Sequence, residues 1–228
     1  MSQNQDPISA IAELIESKSA IKQQTFRALC QVFKEMKAEA KVVVDKINKE
    51  LKSKDKDISI KVVNVSDHEF HIKMAGDLLI FWMHTNIVTL DSGHGFNKSE
   101  YVQELPVRKY LGQINVYNFM ADSLTYNRLN DPGYLVARLS LNFEKRFLVE
   151  GEKQLSFMFD NVSQNEISTT DMSIIIQLVL AQAIDSDLVT RPFPEIRAIT
   201  LNEKILKTQA LGGGYKIGFQ LGSSDQIK

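Results

Sequence analysis

Side chains able to do chemistry are densest between Gln113 and Asp131. Asn115, Asn118 and Asp122 are followed by Tyr126, Arg128 and Asp131, so amides, carboxylates, a guanidinium and a phenol fall within one short span. Wound as a helix, the span puts Ile114, Tyr117, Met120, Ala121 and Leu124 on one apolar arc, with Asn115, Asn118 and Asp122 in a stripe beside it. A polar stripe flanked by apolar residues is half-buried, and buried polar groups need partners. Arg138, on the less apolar face of the following strand, and Glu150, at the end of that strand's hairpin partner, come within reach of the stripe. Asn115, Asn118, Asp122, Tyr126, Arg128 and Arg138 therefore form the expected ligand-binding set, suited to gripping a small polar molecule or a peptide. A hydrogen-bond network tying helix to sheet would use the same residues.

Reaction chemistry has weaker support. If the chain is an enzyme, a hydrolase or transferase, Asp122 and Glu150 are its acid–base pair, with His84 or His94 assisting. His84, Asp91 and His94 flank one hairpin end, and two imidazoles with a carboxylate suit Zn²⁺, but no short-range ligand spacing accompanies them. His68 and His71, three residues apart on a strand, face opposite ways. Cys30 lies on an apolar-striped helix and reads as a structural thiol. Gly212, Gly213 and Gly214 are followed by Tyr215 and Lys216, not by the Lys-Ser/Thr and helix of a phosphate-binding loop. No cofactor and no metal are expected, and the residues favour a binding protein over an enzyme.

Positioning these groups falls to an α+β chain. Asp6 is placed to cap a helix that has Pro7 at its first position, with Ile8, Ile11, Leu14 and Ile15 on one face. Phe26, Leu29, Phe33, Met36, Ala40, Val43 and Ile47 continue as a heptad-like stripe, and a rod from Ile21 to Leu51 is about 46 Å long. Residues 1–52 thus form a helical arm packed on, or projecting from, a body at 57–221, with the charged run at 52–57 between them. The period then changes to two. Ile58–Val65, Phe70–Met74, Leu78–Met83 and Ile87–Leu90 read as an antiparallel meander, whose Leu78–Met83 run is apolar enough for a strand covered on both faces. Asp131-Pro132-Gly133 is a turn, and Leu135–Phe143 with Arg146–Glu150 is a hairpin. Lys153–Phe159 fits either strand or helix. Thr169, Thr170 and Asp171 open a buried helix to about Ile184. Arg191-Pro192-Phe193-Pro194 ends any helix, and strands at Ile196–Leu201 and Leu211–Leu221 close the body. The expected fold is a mostly antiparallel sheet, meander plus hairpin, packed by a long N-terminal helix and two further helices.

Bulk properties narrow the function classes. The chain has 228 residues, 43% of them hydrophobic, enough for a sizeable core. A formal net charge of -1 gives no field for nucleic acid or an anionic membrane. The run from Lys34 to Lys61 mixes both signs and reads as a solvated face, so a nucleic-acid-associated factor is the weakest reading. One cysteine, no secretory start and no membrane-spanning run point to a cytoplasmic protein. The sequence-level expectation is a non-enzymatic regulatory or adaptor protein. It self-associates or docks a partner through the Ile21–Leu51 helix and holds a small polar ligand or peptide near the central span.

Overall fold

The computed structural model describes residues 6–52, 55, 58–159, 161–189, 193–198, 200–202 and 215–216. Helix α1 (Pro7–Leu14) starts where Asp6 accepts a hydrogen bond from the Ile8 amide, with Pro7 filling the first position. A π turn at Ile15–Ser19 joins it without a break to α2 (Ala20–Glu50). The extra residue in a π turn rotates what precedes it by roughly 100° about the axis. Ile8, Ile11, Leu14 and Ile15 stay exposed, whereas Leu29, Val32, Phe33, Met36, Ala40, Val43 and Val44 are buried.

Six strands form one antiparallel sheet in chain order: β1 (Ile60–Ser66), β2 (Glu69–Met74), β3 (Asp77–Met83), β4 (Gly112–Met120), β5 (Tyr134–Leu141) and β6 (Phe147–Gly151). One face is dry. Phe70 and Ile72 of β2, Leu79, Phe81 and Met83 of β3, Ile114 and Val116 of β4, and Leu139 and Leu141 of β5 pack with α2. The other cover is a helix at Thr169–Ile184, through Met172, Ile175, Ile176 and Val179. Its start is a capping box in which Ser168 and Asp171 satisfy each other's backbone amides. Gly112 sets the approach of α2 to β4, because a Cβ there would lie 2.8 Å from Leu29 Cδ2.

The α+β class, the long helix, the meander and the hairpin all match the sequence expectation. Several local expectations do not. Gly112–Met120 is a strand, and only Ala121–Thr125 (α5) is helical, after two short helices at Gly95–Lys98 (α3) and Glu100–Glu104 (α4). Apolar residues at 114, 116, 117, 119 and 120 satisfy both periods, and pairing with β3 and β5 decides for the strand. Val88 makes a single bridge to Leu111 in place of a strand at 87–90. Leu78–Met83 is central, but its second face is covered only in part, with Leu78 buried and Trp82 exposed. Gln154–Phe159 is helical (α6), which makes the helix at Thr169–Ile184 α7. Phe193–Ile196 is a short helix (α8), and Leu201 is helical, so no strand spans 196–201. Leu188–Val189 (β7) pairs with Tyr215–Lys216 (β8). The remainder of the expected closing strand, the three glycines, Arg191 and Pro192, and most of the 52–57 connector lie outside the described residues.

Candidate functional site: the open face of the sheet

The face turned away from α2 and α7 carries two adjacent rows. Cross-strand pairing sets Glu69, Trp82, Asn115, Arg138 and Glu150 side by side, from β2 to β6. The next row is Val63, His71, Ile80, Tyr117 and Leu135. Alternation along each strand forces this, because Ile114 and Val116 point to the helices and Asn115 must point away. A bulge between Val116 and Tyr117 keeps Tyr117 opposite Leu135. Both ends of the face are walled. Phe96 of α3 and Val102 of α4 pack on Leu111 and Leu148 at one end. At the other, the Phe119 ring lies so close to Gly133 that a Cβ there would come within 2.0 Å of Phe119 Cζ.

The polar groups between these walls are unequally satisfied. His71 Nε2 lies 2.6 Å from Glu69 Oε1, with the imidazole buried and the carboxylate half-exposed. Arg138 Nη1 donates to Glu150 Oε2 at 3.3 Å. Asn115 is 7% exposed, and its Oδ1 has no hydrogen-bond partner among the described residues. The Nε of Arg138, its cross-strand neighbour, is likewise buried and unpartnered. Beside them Trp82 is 39% exposed and Leu135 37% exposed. The row holds a buried acceptor, a buried donor and an exposed aromatic surface.

The structure therefore brings together Asn115, Arg138 and Glu150, and it separates them from the other residues that the sequence singled out. Asn118 is fully buried on the helix-covered face, where its Nδ2 donates to Asp77 Oδ1 at 3.0 Å. Asp122 is exposed on α5. Asn115 is level with Glu150 through Arg138, and Asp122 follows the end of β4, roughly 17 Å or more further along at ~3.3 Å per residue, so the two carboxylates do not share a cleft. Tyr126 and Arg128 close their own turn. The guanidinium lies over the Tyr126 ring at 5.4 Å and 3.7 Å from Asp131, which also accepts from Ser123 Oγ at 2.6 Å.

His84, Asp91 and His94 are each used locally. His84 Nδ1 accepts from the Asn86 amide, Asp91 Oδ1 from the Gly93 amide, and His94 Nδ1 from the Phe96 amide. No cluster of three metal-binding side chains occurs among the described residues. His68 is in the turn after β1, not on a strand with His71. Cys30 packs at the margin of the core, where burial pushes its thiol pKa up.

A second polar network lies beyond the walled end. Tyr101 Oη donates to Glu144 and accepts from Asn142 Nδ2 at 2.6 Å, with Arg108 and Arg146 over its ring at 4.3 and 4.4 Å. Burial, then the bond to Glu144, pushes the phenol pKa up to about 12. Burial works to raise the Glu144 carboxyl, but its bonds from Tyr101 and Arg108 outweigh burial and hold it below the usual range.

Trp82, Glu69 and His71 are the site residues that sequence reasoning missed. The signal was present in period-two reading, since Trp82 alternates with buried Phe81 and Met83, but its neighbours depend on register. No family model, curated protein or solved structure matches the chain. No helix among the described residues is long and apolar enough to cross a membrane.

Proposed function

We propose that this chain is a non-enzymatic binding protein that holds a polar ligand or an extended peptide across the open face of its sheet. One observation carries the reading: Asn115 Oδ1 and Arg138 Nε, on cross-strand neighbours, are buried and unpartnered in the row that holds a half-exposed tryptophan. Nearly all buried polar atoms in folded proteins are satisfied, and a cluster of exceptions marks a place where partners come from outside. The ligand donates to Asn115, accepts from Arg138 and lays a flat or apolar surface on Trp82. Glu150 orients Arg138, and the Glu69–His71 pair borders the same row. Trp82 is the only tryptophan, so its fluorescence reports on this face alone. Screening small polar molecules and peptides by ligand-observed NMR, then titrating hits against Trp82 emission, tests the reading. Hits that leave the emission unmoved, or that bind Asn115→Val as tightly as wild type, would end it.

A second surface supports the adaptor reading. The apolar stripe of α2 is covered by the chain's own sheet, so docking through Ile21–Leu51 has lost its apolar face. Docking shifts to α1 and the start of the π turn, where Ile8 is 75% exposed and Ile11, Leu14 and Ile15 are each more than half exposed. Exposed apolar stripes of this kind mark interaction sites.

A further inference from the structure

Between the start of the long helix and the segment that links β3 to β4 lies a cleft of about 740 Å³. Lys18 enters it from the π turn, Lys22 from the first turn of α2, and Lys109 from the 3-10 turn Pro106–Lys109. Lys22 Nζ is 5.3 Å and Lys109 Nζ 5.7 Å from the centre of the same Tyr110 ring. No carboxylate lines the cleft among the described residues, and none of the three lysines forms an ion pair with a described residue.

Lysines on an open surface turn away from one another into water. Here two ammonium groups converge on one buried aromatic ring with a third on the same wall, and nothing on the described chain neutralises them. Val88, Val102 and Pro106 supply apolar wall. Pockets of about 300–1,000 Å³ suit cofactor- and nucleotide-sized molecules.

We propose that this cleft binds a small organic polyanion of nucleotide size, with its anionic groups among Lys18, Lys22 and Lys109 and its organic part against Val88, Val102 and Pro106. The assignment is independent of the sheet-face reading, since the two sites share no polar or aromatic group; Val102 alone borders both.

The test is calorimetric titration of the full chain at low salt with ATP, inorganic triphosphate and adenosine as separate probes. ATP is expected to bind most tightly, triphosphate more weakly, and adenosine not measurably. Binding of ATP weakens as salt rises, because the contacts are charge contacts. Lys22→Glu with Lys109→Glu loses at least about tenfold in affinity, a change of ~1.4 kcal/mol. Lys22→Gln with Lys109→Gln repeats the loss without charge reversal, should the first variant fold poorly. Lys41→Glu with Lys46→Glu, exposed on α2 away from the cleft, leaves the affinity unchanged. Absence of ATP binding to the wild type overturns the proposal. So does equal binding of triphosphate and ATP, or equal loss in the Lys41 and Lys46 variant, which would reduce the effect to general lysine charge.

Discussion

Replacing Asn115 by valine tests the sheet-face site through stability and binding together. Asn115 sits in the middle of central strand β4, 7% exposed, with its carbonyl oxygen unpartnered. An unsatisfied buried amide oxygen costs about 1–3 kcal/mol. Valine is close in shape, removes that oxygen and suits a strand, a preference worth up to about 1 kcal/mol. Part of the gain is offset because the Asn115 NH₂ also loses whatever solvent it reaches. The expected net is a stabilisation of about 1–3 kcal/mol, and for a chain of this size each kcal/mol raises Tm by about 2–4 °C. Urea unfolding measures it, with the midpoint moving up and the slope unchanged. The same variant loses ligand affinity, since the acceptor is gone; gain in stability with loss of function is the signature of a polar group kept for binding. Asn118→Val is the contrast. Asn118 lies three residues on, is fully buried, and donates to Asp77. Its Oδ1 is unpartnered too, but valine there also breaks a hydrogen bond to a carboxylate worth about 1.5–3 kcal/mol, so its midpoint lies below that of Asn115→Val. A destabilised Asn115→Val would show that Asn115 belongs to the fold's own network, and the reasoning from its unpartnered oxygen would fail.

The Tyr101 network gives stability a dependence on pH at both ends. The Tyr101 pKa is raised in the folded state, so its contribution is complete below the ordinary value of 10 and is lost as pH climbs toward about 12. That of Glu144 is lowered, so its contribution is present above the ordinary carboxylate range and is lost as pH falls through the folded value. Tyr101→Phe lowers stability by about 1–3 kcal/mol at neutral pH, flattens the alkaline limb of a urea-midpoint scan and removes a late component from a tyrosinate absorbance titration. Gly112→Ala forces Leu29 aside and costs about 1–3 kcal/mol, measured by urea unfolding, with a smaller penalty in a Leu29→Ala background. Ile11→Asp with Ile15→Asp leaves the folded body unchanged in circular dichroism and removes any concentration-dependent mass seen for the wild type by light scattering.

The elements that the sequence disclosed are those with a single workable period. Leu29, Met36 and Val43 repeat at helical spacing over many turns, and no strand pattern fits them. Phe70, Ile72 and Met74 alternate, and no helical arc collects them. Ser168 and Asp171 bracket a helix start that the sequence located to within a residue or two. Gly112–Met120 was misread because an arc of Ile114, Tyr117 and Met120 and an alternation of Ile114, Val116 and Asn118 coexist in the same nine residues. Local preference does not decide between them. The vacancy between β3 and β5 does, since a helix there would leave the edge amides and carbonyls of both strands unpaired.

The same misreading explains why the candidate site was only partly legible. A helix groups residues by steps of three and four, and so joined Asn115 to Asn118 and Asp122. A strand groups them by twos and then by register with its neighbours, which joins Asn115 to Trp82, Arg138 and Glu150. Register follows from turn lengths and from the bulge at Val116 and Tyr117, and neither can be read from one strand alone. Arg138 and Glu150 were found because their hairpin has a clear alternation; Trp82 was hidden in a run of apolar residues that suggested burial on both sides.

What distinguishes the open face from an ordinary solvent face is that neither water nor a dry cover suits it. Solvent alone leaves Val63, Ile80, Trp82, Tyr117 and Leu135 as a partly exposed apolar band wider than single scattered residues require. A wholly apolar cover would leave Asn115 Oδ1 and Arg138 Nε, already buried and unpartnered, still without partners, a cost of about 1–3 kcal/mol for each group. An amphipathic occupant resolves both conflicts, burying its flat side on Trp82 and Ile80 while its polar side bonds to Asn115 and Arg138. The walls at Leu148 and Phe119 limit how far such an occupant runs along the strands, whereas across the strands, from Glu69 to Glu150, the row spans five strands. At about 4.8 Å between strands, that is roughly 19 Å, the reach of about six residues of extended peptide. On the proposed binding role, the site favours a short extended segment lying across the strands over a helix or a second sheet.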